Sequence, residues 1–326
     1  MKKPIGIIDA EYFLPGDAID ISTWGRVHGV EQKRIEALKR NGCRYFYDGT
    51  DYSDSSLVNE SVARLWKKLP KSIKVEEIGL IVHARTQVFS IPAPPISILQ
   101  NLKNTFQFQP DFDMSICQLA CASVYKAMEI GIRYLENPDA RPYVLVVTSD
   151  RVFGSASHRI RQSGGIQSDG AAAVLLGRKF LKSILVAPKF YFDSRLHRGP
   201  LYEDNSKLIA QTCWRDSANL IKEYLDLHPS IDKERLKVLP INADLTLWKI
   251  ILKTLKMPES QLFSENIYRR GHACSNDFII NLSDIGLANL EKGNPVLSFG
   301  QSNLGVQGCL VNLPKTGKFC EVKREG

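Results

Sequence analysis

Short apolar runs alternate with longer amphipathic stretches along most of the chain. Runs at 5–8, 78–83, 112–116, 143–148, 171–176, 236–241 and 296–299 are rich in β-branched and aliphatic residues and predict strands. Stretches at 56–68, 94–101, 122–135, 205–227, 245–255 and 277–290 carry apolar residues at helical spacing and predict helices. In the stretch beginning at 122, Val124, Ala127, Met128, Gly131, Ile132 and Leu135 recur on one face. Alternation of strand and helix predicts an α/β fold with a mixed or parallel sheet.

The pattern repeats coarsely. In the first half, the strand at 112–116 leads through a short turn into a helix starting near Cys121. In the second half, the strand at 236–241 leads through Asn242 and Ala243 into another helix. Each half closes on a glycine-containing, hairpin-like tract, SDGAAAVLLGRK at 168–179 and FGQSNLGVQGCLVNL at 299–313. The boundary is placed near 178–184, giving halves 1–180 and 181–326.

Composition narrows the class. The 326 residues are 44% hydrophobic and 24% charged, the balance of a soluble globular protein. No apolar run reaches the roughly 18 residues of a membrane span, and Asp9 and Glu11 arrive too early for an export signal. Seven cysteines, an odd number at irregular spacing, fit reduced thiols and a cytoplasmic location. The net charge of +8 is dispersed, which argues against a nucleic-acid-binding arm and fits loose steering of an acidic partner.

Three segments carry candidate chemistry. Cys121, in FDMSICQLACAS, sits where a helix begins, and backbone N–H groups and the helix dipole there favour a thiolate. Such a thiolate can take an acyl group from a thioester, and its own N–H can help hold the oxyanion; the alternative is a buried, inert cysteine. His272, in YRRGHACSND, is read on a turn between a strand ending near Arg269 and a helix capped by Ser275 or Asn276. It is either a proton carrier or a capping histidine. Asp244, in LPINADLTLW, is either the N-cap of its helix or the carboxylate that orients His272. The spacings Cys117-x-x-x-Cys121 and His272-x-Cys274 do not match structural zinc pairs, so no metal is expected, and no cofactor motif is present.

In order and spacing, YFLPGDAIDI, NGCRYFY, VEEIGLIVHART, ICQLACAS, SDGAAAVLLG, LPINADLTLW and RRGHACSNDFIINLSD resemble the β-ketoacyl-acyl carrier protein synthase III family of the thiolase superfamily over nearly the whole chain. The resemblance implies a thiolase fold, a five-layered αβαβα sandwich of two pseudo-repeated halves, and a homodimer. It also implies a Cys-His-Asn triad, of which only the nucleophile at Cys121 is kept. Ile241 stands where the family has histidine, and His272 where it has asparagine. Ile241 and Asn242 are expected to line the substrate pocket, and the backbone at 301–303, centred on Ser302, to supply an oxyanion donor. Decarboxylative condensation needs donors on a developing enolate, and loss of one costs about 2–4 kcal/mol. Acyl transfer to a hydroxyl or amine needs only a thiolate, an oxyanion hole and a base.

The expected function is therefore acyl transfer, from an acyl carrier protein or coenzyme A thioester to a small-molecule or carrier-bound acceptor, in specialised metabolism. The alternatives are a carbon–carbon condensing synthase and a non-catalytic subunit of a synthase heterodimer. Arg151, Arg159, Arg161, Arg195, Arg198 and Lys207 are candidates for donor docking. The proline-rich stretch 86–99 is read as pocket wall, dimer surface or plain loop.

Overall fold

The computed structural model describes residues 3–86, 97–153, 156–160, 164–196, 203–302 and 304–315. Arg161, Arg198, Asn303 and most of the proline-rich stretch lie outside the described residues. The strands are β1 (Gly6–Phe13), β2 (Ile19–Asp20), β3 (Tyr45–Phe46), β4 (Ile78–Ala84), β5 (Phe112–Ile116), β6 (Tyr143–Asp150), β7 (Gly170–Gly177), β8 (Ser183–Leu185), β9 (Lys189–Phe192), β10 (Lys237–Leu239), β11 (Val296–Gln301) and β12 (Val306–Pro314). The helices are α1 (Ile21–Val27), α2 (Gln32–Arg40), α3 (Asp54–Lys68), α4 (Ile98–Phe106), α5 (Ser123–Glu136), α6 (Glu203–Leu227), α7 (Leu245–Leu255), α8 (Glu265–Arg269), α9 (Asp277–Asn281) and α10 (Leu287–Glu291). A π-helical turn, Leu282–Gly286, joins α9 to α10.

The large sheet runs β10-β11-β12-β8-β1-β7-β6-β4-β5, with β9 beside β12. Strands from before residue 180 lie together at one end and those from after it at the other. They meet where β1 pairs with β8, Gly6 opposite Ile184 and Ile7 opposite Ser183. The sheet is mixed: β4 is parallel to both β5 and β6, and β10 to β11, while the remaining pairs are antiparallel.

Strand alternation sorts the core into layers, because successive side chains point to opposite faces. Ile8, Ile81, Leu145, Val147, Ala173 and Leu175 pack under α3 and α4 with Leu57, Val62 and Leu102. Their neighbours Ile7, Leu80, Val82, Val144, Val146 and Val174 face the other way, onto Val124, Met128 and Ile132 of α5 and Ile279 and Leu282. That same cluster takes in Leu239, Val296 and Leu310 of the second-half strands. Val238, Leu297, Phe299 and Val311 then face outward onto α6 and α7 through Ile221, Tyr224, Trp248 and Ile251. With the two halves of this sheet counted as separate layers, the order is helix, strand, helix, strand, helix, as the resemblance implies. Strands buried on both faces read as continuous apolar runs, which is why β4, β6 and β7 were legible.

Two differences from the sequence reading bear on the site. Residues 265–269, read as a strand, form the short helix α8. The helix read as continuous over 277–290 is broken by the π-turn.

Candidate active site

Strand β5 ends at Ile116, and the chain turns through Ala120, at φ +47, before entering α5. A non-glycine residue in the left-handed region costs about 1 kcal/mol or more, and such strain collects at functional corners. The corner places Cys121 one residue before Ala122, the N-cap of α5, which makes no side-chain capping bond. First-turn N–H groups of this helix are thus not consumed by a capping side chain. Cys121 retains 7% exposure.

The backbone of His272 is tied on both sides. Its N–H donates to Ile166 O at 2.9 Å, and its carbonyl accepts from Ser168 N at 3.0 Å. Gly271 precedes it at φ +63, where a Cβ would lie 2.9 Å from Ser168 Oγ and 3.0 Å from Tyr45 O, so only glycine fits. His272 Nε2 lies 3.5 Å from Cys121 Sγ. On the other side of the ring, Nδ1 lies 2.5 Å from Asp277 Oδ2. A carboxylate only accepts, so the neutral ring carries its proton on Nδ1 and turns the Nε2 lone pair towards sulfur. This arrangement can take the thiol proton and return one to a leaving or incoming group.

Asp277 is itself held. Its oxygens accept from Ala273 N and Asn242 N, both at 2.7 Å, and from Asn242 Nδ2 at 3.3 Å. Asn281 Nδ2 in turn donates to Asn242 Oδ1 at 3.0 Å and to Pro240 O at 2.8 Å. The end of β10 and the start of α9 are thereby fastened around one carboxylate. Nearby, Asp150 Oδ2 accepts from Ser275 N at 3.0 Å and Oδ1 from Thr86 N at 2.8 Å; burial pushes the Asp150 carboxyl above its ordinary pKa.

Several sequence expectations change here. Asp244 does not orient His272: it stands at φ +45 as the N-cap of α7, and its Oδ1 accepts from Leu247 N at 3.1 Å. The carboxylate on His272 is Asp277, five residues further along the chain. The sequence signal was an acidic residue in the first turn of the helix after the histidine, a position that reads equally well as a dipole partner. Asn242 is fully buried and bonded to Asp277 and Asn281, so it braces the carboxylate and does not line a pocket. Ile241 is half-buried and packs against the apolar layer of Trp248 and Ile251. Ser302 N donates to Val306 O at 2.8 Å within the β11–β12 turn, so that N–H is already used. The close approach to the nucleophile comes from Gly300, where a Cβ would sit 3.3 Å from Cys121 O and 2.4 Å from Tyr125 Cε2. Arg159, proposed for docking, is buried and bonded to Asp169 and Asp48.

One residue was considered only as a metal ligand in sequence and proves central to the geometry. Cys274, at φ +58, brings its Sγ together with Cys121 Sγ and His272 Nε2, all within 4.8 Å of one another. Gln167 Nε2 donates to Cys274 Sγ at 2.7 Å. Its hydrogen bond with the Cys121 sulfur, and then burial, hold the Cys274 thiol well above the ordinary thiol range.

No family model matches the chain. Over 235 residues, 69% of this chain and 74% of the relative, the sequence is 23% identical to beta-ketoacyl-[acyl-carrier-protein] synthase III of Aquifex aeolicus (strain VF5). Among solved structures, ChlB3, described as an acyltransferase, matches with a TM-score of 0.82 at 16% identity, covering 95% of this chain and 98% of that one. AbyA1, a tetronic acid condensing enzyme, matches at 0.76 with 17% identity and 95% and 99% coverage. The synthase III structure from Aquifex aeolicus VF5 matches at 0.77 with 18% identity, also covering 95% and 99%. Taken with the layer order, these likenesses show that the chain has the thiolase fold in its ketoacyl synthase III-like form.

Proposed function

We propose that the chain is an acyltransferase with a Cys121–His272–Asp277 relay. The observation that carries this is the line of contacts from Cys121 Sγ through the imidazole to the Asp277 carboxylate, 3.5 Å and 2.5 Å long. Cys121 attacks the carbonyl of an acyl thioester, and the tetrahedral intermediate expels the donor thiol, which takes the proton held at His272 Nε2. The acyl-cysteine is then attacked by a hydroxyl or amine, whose proton passes to the same nitrogen; collapse of this second tetrahedral intermediate breaks the bond to the Cys121 sulfur, which leaves and recovers that proton. Asp277 fixes the tautomer and balances the imidazolium that forms in each half. The donor is an acyl carrier protein or coenzyme A thioester, and the acceptor a small molecule or carrier-bound intermediate of specialised metabolism.

Condensation is the second reading, favoured by the sequence similarity to a ketoacyl synthase and by the structural likeness to a condensing enzyme. Against it, Ile241 carries no donor at the position where the resembled family holds the enolate. A homodimer is proposed on a separate observation: among the described residues β5 ends the sheet, with Phe112 64% and Met114 38% exposed, and an apolar sheet edge invites a second copy.

Incubation of the purified protein with acyl thioesters, read by intact mass, tests the proposal. An acyl mass on Cys121 that an alcohol or amine removes supports transfer. A product that has lost carbon dioxide and gained a carbon–carbon bond supports condensation. A protein that never gains acyl mass with any thioester overturns both in favour of a non-catalytic subunit.

A further inference from the structure

We propose that Cys121, His272 and Cys274 form a zinc(II) site, and that the bound ion switches acyl loading off. The three ligand atoms already lie within 4.8 Å of one another, and all three residues are buried. Zinc bonds of about 2.3 Å to sulfur and about 2.0 Å to nitrogen, at tetrahedral angles, place such a pair about 3.5 Å apart. Cys121 Sγ and His272 Nε2 stand at 3.5 Å without any metal-driven movement.

The surroundings match what a zinc-ligating histidine requires. Its second nitrogen is bonded to a carboxylate, Asp277 Oδ2, which leaves the Nε2 lone pair for the metal and fixes the ring plane. Gln167 Nε2 donates to Cys274 Sγ, an N–H···S contact that stabilises sulfur as an anion once its proton is gone. Cys274, two residues after the histidine and in the left-handed conformation, has its side chain in this cluster. Three protein ligands leave a fourth position for water, the pattern of an open zinc site. Binding displaces the thiol protons of Cys121 and Cys274 to solvent, and no oxidant is needed. An ion on Cys121 Sγ removes the nucleophile and, through His272, the base. Acylation of Cys121 in turn removes a ligand, so acyl group and zinc exclude one another.

Only the switching consequence rests on the acyl-transfer reading; the metal site stands or falls separately. Metal-free full-length protein is titrated with cobalt(II), reading the thiolate-to-cobalt charge-transfer band, and zinc is then used to displace cobalt. One ion per chain is expected. Cys274→Ser should weaken binding by more than the roughly 10–100-fold that follows loss of an outer partner, while Cys213→Ser, outside the cluster, should leave affinity unchanged. Zinc should also protect Cys121 from alkylation by iodoacetamide and block acyl loading. Absence of the charge-transfer band in the native protein, or undiminished affinity in a folded Cys274→Ser, overturns the site. Should Cys274→Ser fail to fold by circular dichroism, undiminished affinity in His272→Gln does the same. Loading that fails in metal-free protein while the cobalt band appears removes the acyl-transfer reading and leaves the metal site. Loading that proceeds in zinc-saturated protein overturns the switch.

Discussion

Two strand-to-helix corners, one in each half, are built alike and used differently. Between β5 and α5 the chain passes through Ala120 at φ +47, and between β10 and α7 through Asp244 at φ +45. At the second corner the left-handed residue is itself the cap, and its carboxylate satisfies the helix N-terminus through Leu247 N. At the first, the left-handed residue is an alanine with no side chain to offer, and the helix makes no side-chain cap. That leaves the helix end to the residue beside it, Cys121. One corner uses its dipole to hold the helix; the other keeps it available for an anion.

The sharpest way to break this comparison is at the first corner. Cys121→Ala should remove every trace of acyl adduct by intact mass, since the Cys121 sulfur stands 3.5 Å from His272 Nε2 while the neighbouring Cys274 thiol is held well above its ordinary pKa; a surviving adduct would move the nucleophile to Cys274 or elsewhere. Next, Asp277→Asn should cut acyl transfer by about 10³–10⁴-fold, because an amide can donate to Nδ1 and favour the wrong tautomer. Single-turnover kinetics would measure it, and a loss below tenfold would detach Asp277 from the relay.

A pH experiment probes what lies beneath the first corner. His83 is sealed between Ser149 Oγ at 2.8 Å and Ser115 Oγ of β5 at 3.4 Å, and burial lowers its pKa from 6.5 to about 3. Below pH 6.5 the unfolded chain takes up a proton that the folded chain refuses, so stability falls as pH drops towards about 3. The slope is about 1.4 kcal/mol per pH unit, or roughly 2 kcal/mol between pH 6.5 and 5. Urea unfolding of His83→Gln should show a flatter profile over that window; an identical profile would clear His83.

The smallest effect belongs to the second corner. Asp244→Ala should lower unfolding free energy by about 1–2 kcal/mol through the lost cap, with transfer unchanged per folded molecule. A fall in turnover larger than the fall in folded protein would return Asp244 to the chemistry.

Much of the fold was legible because burial on both faces of β4, β6 and β7 leaves uninterrupted apolar runs. The amphipathic periods of α5 and α7 were equally plain, and the bounds of α7 agree with the reading. The short elements β2, β3, β8 and β9 were missed, since two to four residues carry no period. Helix α8 was mistaken for a strand for the same reason.

In the site, local sequence pointed to Cys121 and His272, each beside a helix start, and the structure brings their side chains to 3.5 Å. For the carboxylate it offered Asp244 and passed over Asp277, because both are acidic residues at helix starts and the choice is made across the fold. Only the packing of α9 against the end of β10 brings Asp277 Oδ2 to the imidazole, leaving Asp244 to its own helix. The same holds for Cys274. Spacing along the chain shows no zinc pattern and does not bring Cys274 to Cys121, because their nearness depends on distances through space. Those were fixed when the loop after α8 folded back against residues 166–168 and α5.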